Sequence, residues 1–213
     1  MACQLTEKTF KIGLGHRYNS KCGVIIMQLF TQQNRHMLYP FEPIIASNLS
    51  LDGWAAPLSR RRVQIEFRLH DEQQQVAWPY HHGGQTRTDT LNGSSYFEVF
   101  LQHAHHPHYV NVQITPQGLW NAYRFDHYRH PKHIPPLHEQ HIGLEHLQIE
   151  HHRIQLVLDL ARLYPRDSVL RVGLAAVLVH PHDLRSIWSL QHSGDYADSH
   201  QASDWRIQFS LLD

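Results

Sequence analysis

Three short runs between residues 96 and 125 alternate apolar and polar side chains with a period of two: "YFEVFLQ", "YVNVQI" and "LWNAYRF". Successive side chains of an extended strand point to opposite faces, so this rhythm predicts three strands, each with one buried face. The connectors "HAHHPH" and "TPQG" are turn chemistry and are too short to join anything but antiparallel neighbours. A three-stranded meander is therefore the unit around which the rest of the chain must be arranged. The alternation also sorts the side chains. Phe97, Val99, Leu101, Val110, Val112, Ile114, Leu119, Tyr123 and Phe125 are expected in the core, with Asn121 as a polar interruption that needs a partner. Tyr96, Glu98, Phe100, Tyr109, Asn111, Gln113, Trp120, Ala122 and Arg124 are expected on the opposite face.

The same rhythm recurs outside the meander. "RRRVQIEFRLH" places Val63, Ile65, Phe67 and Leu69 on one side, and "QQQVAW" follows as its expected partner across a polar turn. "IGLEHLQIE" and "RIQLVLDL" form a further pair, "LRVGLAAVLV" reads as a central strand, and "IWSLQH" and "DWRIQFSLL" return after loops. No run carries the 3.6-residue period of an amphipathic helix. Short strands at this spacing predict an all-β fold, a two-sheet antiparallel β-sandwich of about ten to eleven strands. Residues 1–36 read differently, as an N-terminal extension in which "CGVIIMQLF" supplies one added strand; residues 37–213 form the domain.

Composition excludes several function classes. The 19 basic and 19 acidic side chains balance, and the only basic run is Arg60-Arg61-Arg62. Nucleic-acid binding rests on clustered phosphate-neutralising cations, so no nucleic-acid partner is expected. The longest apolar run, "VGLAAVLV", falls far short of the roughly 18 residues of a membrane span, and the N-terminus does not read as a secretion signal. A cytoplasmic protein without a membrane partner is the expectation. The two cysteines, Cys3 and Cys22, offer neither a disulfide framework nor zinc-ligand spacing. Histidine is abundant, with 21 residues, but its pairs are scattered, which reads as polar surface usage and predicts no metal site. There is no nucleophile elbow, phosphate-binding glycine loop or HExxH. Asp195, Asp198 and His200 lie close together, but an Asp- and Ser-rich loop is ordinary turn chemistry, so no catalytic residues are assigned.

The polar face of the meander carries information of its own. Aromatic planes beside planar amides and charged groups are what a sugar-binding surface needs: rings pack on C–H faces, and fixed donors and acceptors meet hydroxyls. A solvated sheet face with a Glu98–Arg124 ion pair is the plain alternative.

"FEVFL" followed by "Y…PQGLWNAYRFDHYR" resembles the DOMON-like family of bacterial proteins, related to the family 9 carbohydrate-binding modules. The residues that carry the resemblance are Arg87, Asp89, Leu91, Phe97, Glu98, Phe100 and Leu101, then Tyr109, Pro116, Gly118, Trp120, Tyr123, Phe125, Tyr128 and Arg129; Trp188, Leu190, His192, Asp198 and His200 extend it, over residues 38 to 211. The chain departs from the pattern at Asn92, at Ser95-Tyr96 and at Asn111 and Gln113. The resemblance implies a β-sandwich that holds a small ligand against one sheet, the ligands of related domains being sugars or haem. It thus implies a non-catalytic binding domain for a carbohydrate or similar small polar ligand. The candidate residues are Glu98, Asn111, Gln113, Trp120 and Arg124, with Trp188, His192 and His200. Two alternatives stand beside it: a haem-binding redox domain using His192 and His200 as axial ligands, and a module that docks a protein partner on the aromatic face.

Overall fold

The computed structural model describes residues 35–43, 48–79, 84–89, 91 and 93–213. The strand expected in "CGVIIMQLF", both cysteines, Asn92 and the His81-His82 pair lie outside the described residues. Twelve strands are described: β1 (His36–Pro40), β2 (Ser50–Leu58), β3 (Arg62–His70), β4 (Thr86–Arg87), β5 (Tyr96–His103), β6 (Tyr109–Ile114), β7 (Leu119–Phe125), β8 (Gly143–Glu150), β9 (Arg153–Asp159), β10 (Val169–Val179), β11 (Arg185–Ser189) and β12 (Ile207–Ser210). Among the described residues the named helical elements are two three-residue 3-10 turns, Pro181–Asp183 and Ala202–Asp204, so the fold is all-β as expected. No helix among the described residues is long and apolar enough to cross a membrane.

The expectation of two separate antiparallel sheets needs correction. The strands form one curled, mixed sheet in the order β4-β7-β6-β5-β10-β11-β1-β2-β3-β9-β8, with β12 paired to the first part of β10. Strand β1 makes the sheet continuous. Its first three residues pair with β2 and its last two with β11. The sheet is mixed because β4 runs parallel to β7. At the far end β8 carries a register shift between Leu144 and His146.

Curling brings the two halves of the sheet face to face. Phe67 of β3 meets Phe97 of β5 with ring centroids 5.1 Å apart. Leu51, Val63, Ile65, Ile154 and Leu156 share one cluster with Val99, Val112, Val172 and Leu174. The apolar alternation of β3, β5, β6 and β9 thus lies inside, as the period-two pattern requires.

Strand β7 is the exception. Trp120 and Ala122 join the main core, whereas Tyr123 and Phe125 belong to a second cluster on the opposite face with Phe100, Tyr109 and Trp205. The turn decides this register. The Thr115 N–H donates to Leu119 O, the Leu119 N–H to Thr115 Oγ1 and the Gly118 N–H to Thr115 O, with Gly118 at φ 80°. This geometry puts Trp120 opposite Ile114, a core residue. A one-residue difference in register exchanges the two faces of a strand.

Candidate functional site

The outer face of β5, β6 and β7 is assembled by register. Glu98 lies opposite Gln113, Phe100 opposite Asn111, Asn111 opposite Tyr123, and Tyr109 opposite Phe125. Glu98 is the polar centre. Asn111 Nδ2 and Gln113 Nε2 donate to its Oε1 at 3.3 and 3.1 Å, and Ser199 Oγ donates to its Oε2 at 2.8 Å. Burial pushes the Glu98 carboxyl above the usual carboxylate range, against the three hydrogen bonds that favour the anion. Asn111 Oδ1 is buried there without a partner.

Ser199 belongs to a long connection between β11 and β12, residues 190–206, that straps across this face. Arg206 Nε donates to Gln191 Oε1 at 2.6 Å and the Ser193 N–H donates to Asp204 Oδ2 at 3.0 Å, which ties the two ends of the strap together. Trp205 seats on the face: its indole stacks on Phe100 at 5.0 Å and 17°, meets Tyr109 edge-on at 5.2 Å, and donates to Ser199 O. Beneath it lies Gly173 of β10, where a Cβ would stand 2.2 Å from Trp205 Cδ1. An isolated glycine inside an otherwise apolar strand marks such a close approach.

His200 of the strap fits among Phe100, Phe125 and Tyr109, with centroids at 5.0, 5.1 and 5.8 Å. The Tyr109 hydroxyl accepts the Arg129 N–H at 3.1 Å and shares a hydrogen bond of 2.7 Å with His200 Nδ1. Burial favours the neutral imidazole. Burial, with the Arg129 charge, pushes its pKa down to about 4. Asp198 accepts from Arg129 Nη2 at 2.6 Å, from Tyr128 and from the His200 N–H. Its partners hold it well below the usual carboxylate range against burial.

Beside this array opens a cavity of about 230 Å³, walled by Gln102, Tyr109, Tyr128, His200, Gln201 and Ser203. Tyr128 is 47% exposed, and the Arg129 guanidinium lies 6.0 Å from its ring centroid. A wider recess of about 420 Å³ lies elsewhere, between the end of β3 and the β8–β9 hairpin. Its guanidiniums, Arg68 and Arg153, are both committed to Glu66, and no aromatic ring other than imidazole lines it.

The expected site residues are thus divided. Glu98, Asn111 and Gln113 come together on one face, and His200 lies over that face. Trp120 does not join them: it is 7% exposed in the main core under the Arg87 guanidinium, 5.0 Å from its ring. Arg124 shares the Trp120 side of β7 and is exposed at its end, so the expected Glu98–Arg124 pair is excluded by the register. Trp188 is buried in the core and donates to Ser186 Oγ. His192 anchors the strap to β1 through Tyr39 O, 2.8 Å away. Gln102, Gln201 and Trp205 lie outside the expected set. Gly173 within "LRVGLAAVLV" was the available signal for Trp205.

The motif residues of the opening stretch prove to be a structural lock. Asn121, the polar interruption, accepts from Arg87 Nε at 2.9 Å and donates to Asp89 at 2.7 Å. Asp89 also accepts from the Tyr123 hydroxyl at 3.1 Å and pairs with His138 at 2.8 Å. These contacts fasten the segment before β5 to β7.

The described residues do not fit a haem. His192 and His200 line different cavities, so they do not present two axial nitrogens to one space. The cavity beside His200 is also smaller than the roughly 300–1,000 Å³ of cofactor sites. No group of three or more metal-ligating side chains is found among the described residues.

No family model and no curated protein sequence matches the chain. Among solved structures, the chain is similar to a candidate carbohydrate-binding protein from Bacteroides uniformis, with a TM-score of 0.55 over 89% of this chain and 91% of that one. Sequence identity is 8%, so the likeness is one of fold: this all-β sheet architecture is shared with that protein.

Proposed function

We propose that the domain is a non-catalytic binding module for a carbohydrate or a similar small polyol, of DOMON-like type. The observation that carries this reading is the cavity beside the strap. Two tyrosine rings, two primary amides and an imidazole converge on a space of about 230 Å³, a size suited to one small ring rather than a drug-sized ligand. Tyr128 offers the platform, held rigid by Asp198 and Arg129. Gln102 spends one amide hydrogen on Pro107 O and keeps its carbonyl, and Gln201 is exposed, so both can meet hydroxyls. The fold shared with the Bacteroides uniformis protein supports the same reading.

The test is a glycan screen followed by calorimetry on the purified chain. Tyr128→Ala is expected to abolish binding of whichever sugar is found while the melting temperature stays within about 2 °C, because an exposed ring contributes little stability. Tyr39→Ala, on the more exposed ring at β1, serves as the control. Binding that survives Tyr128→Ala unchanged refutes this placement.

A further inference from the structure

We propose that the strap over the β5–β6–β7 face is a pH-gated cover, loosened by protonation of one of its contacts and by ionisation of the other. The inference rests on the binding reading only for what the uncovered face would hold. The strap touches the face through two titratable contacts of opposite sense. Ser199 caps the buried Glu98 carboxyl, and His200 Nδ1 shares a hydrogen bond with the Tyr109 hydroxyl.

The acid side follows from hydrogen-bond geometry. Tyr109 has one hydroxyl hydrogen, and the Arg129 N–H already occupies an acceptor position on its oxygen. In the imidazolium Nδ1 carries a proton, and the hydroxyl oxygen must accept it beside the Arg129 N–H with its own hydrogen turned out of the contact. The ring is meanwhile packed T-shaped against Phe100 and Phe125 and is largely removed from water, which disfavours its charged form. The charges that face it are Arg129, which opposes protonation, and Asp198 of the strap itself, which favours it but is already taken by Arg129 and Tyr128. Leaving the face restores water to the imidazolium, so acid favours the open strap.

The alkaline side follows from Glu98. Its two oxygens receive three neutral donors, and among the described residues no cation lies within salt-bridge distance. Ionisation there is opposed by burial and favoured by the more distant Arg129 charge, burial being the larger effect, and lifting the strap hydrates the carboxylate. Alkali therefore also favours the open strap. The face then exposed holds Glu98, Asn111 and Gln113 beside Phe100 and Tyr109, which are hydrogen-bonding groups next to aromatic planes. In the closed state the Trp205 indole occupies the stacking position on Phe100.

Hydrogen exchange of the strap amides in the full chain, corrected for intrinsic rates, tests the gate between pH 5 and pH 9 without any ligand. In the wild type the two limbs oppose each other where the open carboxyl and the open imidazole both titrate, so protection is expected to change little from pH 5 to about 6.5 and to fall above it. Glu98→Gln, which keeps the neutral acid's shape, should lose the alkaline decline. With that opposing limb removed, strap opening should rise about 30-fold from pH 7.5 to pH 5, the linkage expected when the open imidazole titrates at 6.5 and the closed one at about 4. His200→Gln should lose the acid limb, so that protection falls from pH 5 upward; if it fails to fold, Tyr109→Phe, which removes only the hydroxyl, should shrink that limb. Flat protection across the range, limbs that persist in these variants, or strap exchange only in step with β10 would each overturn the gate. A glycan screen without hits leaves these profiles as expected and counts against the binding reading alone. Glycan binding with a flat profile retains that reading and refutes the gate.

Discussion

Adding one methyl group at Gly173 is the most direct perturbation of the site, because it acts on the strap from below, against the Trp205 indole. The Cβ of Gly173→Ala would lie 2.2, 2.5 and 2.7 Å from Cδ1, Cγ and Nε1 of Trp205, where ordinary contact begins at 3.4 Å. The neighbour is a rigid indole pinned against Phe100, so it cannot fold aside as a flexible chain end would. It must rise by more than about 1 Å, which breaks van der Waals contact with Phe100 and loosens Ser199 and His200 with it. Overpacking of this kind costs about 1–3 kcal/mol. For a chain of this length that corresponds to a melting temperature lower by roughly 2–12 °C. Urea unfolding read by circular dichroism gives the stability change, and tryptophan emission reports whether the indole has become hydrated. Gly194→Ala, in the same strap, is the control, since its nearest neighbour would lie at an ordinary 3.7 Å. A Gly173→Ala protein with wild-type stability and emission would show that Trp205 does not seat on β10, and the covered-face description would fall with it.

Two further outcomes follow from burial. Trp120→Ala should destabilise by about 3–5 kcal/mol in thermal or urea unfolding, because the ring fills the main core beneath Arg87; a change below 1 kcal/mol would place it back on the outer face. Glu98→Gln should be neutral in acid and stabilising as pH rises. The Glu98 pKa is raised on folding, so the folded chain binds the extra proton and stability falls above the unfolded carboxylate range, by up to about 1.4 kcal/mol per pH unit until the folded pKa is passed. Parallel pH–stability curves for wild type and variant would contradict that assignment.

Most strands are legible in the sequence because a sheet with one buried face writes its pattern at period two. β3, β5, β6, β8 and β9 are read this way, and β10 as a near-continuous apolar run. "QQQVAW" breaks the rule: the side chain of Asp71 accepts the N–H groups of Gln75 and Val76 at 2.9 and 2.8 Å, and those donors are lost to any ladder. β2 escapes notice for the opposite reason. Gly53 and Pro57 lie inside "SLDGWAAPL", and Gly53 is kept small by Leu174 and the Glu66 carbonyl across the core. In β7 both faces are apolar, Trp120 and Ala122 on one and Tyr123 and Phe125 on the other. Alternation alone cannot choose between them, and the choice belongs to the Thr115–Leu119 turn. Of the site, the Glu98, Asn111 and Gln113 cluster is legible because three neighbouring strands bring those positions into one row. Tyr128, Gln201 and Trp205 are not, since irregular backbone has no period to read.

The continuity of the sheet through β1 has a consequence for how copies of this chain meet. Two separate sheets would expose four lateral edges, each with a row of unpaired backbone donors and acceptors able to recruit a neighbour. Among the described residues, a single sheet whose path ends at β4 and β8 leaves two such ends, besides the outer side of the four-residue β12. Both are poor templates. β4 is only two residues long, and β8 carries Glu145, His146, Gln148 and Glu150 on exposed positions and is thrown out of step by its bulge. Charge, brevity and a broken register are the means by which natural edges refuse strand addition.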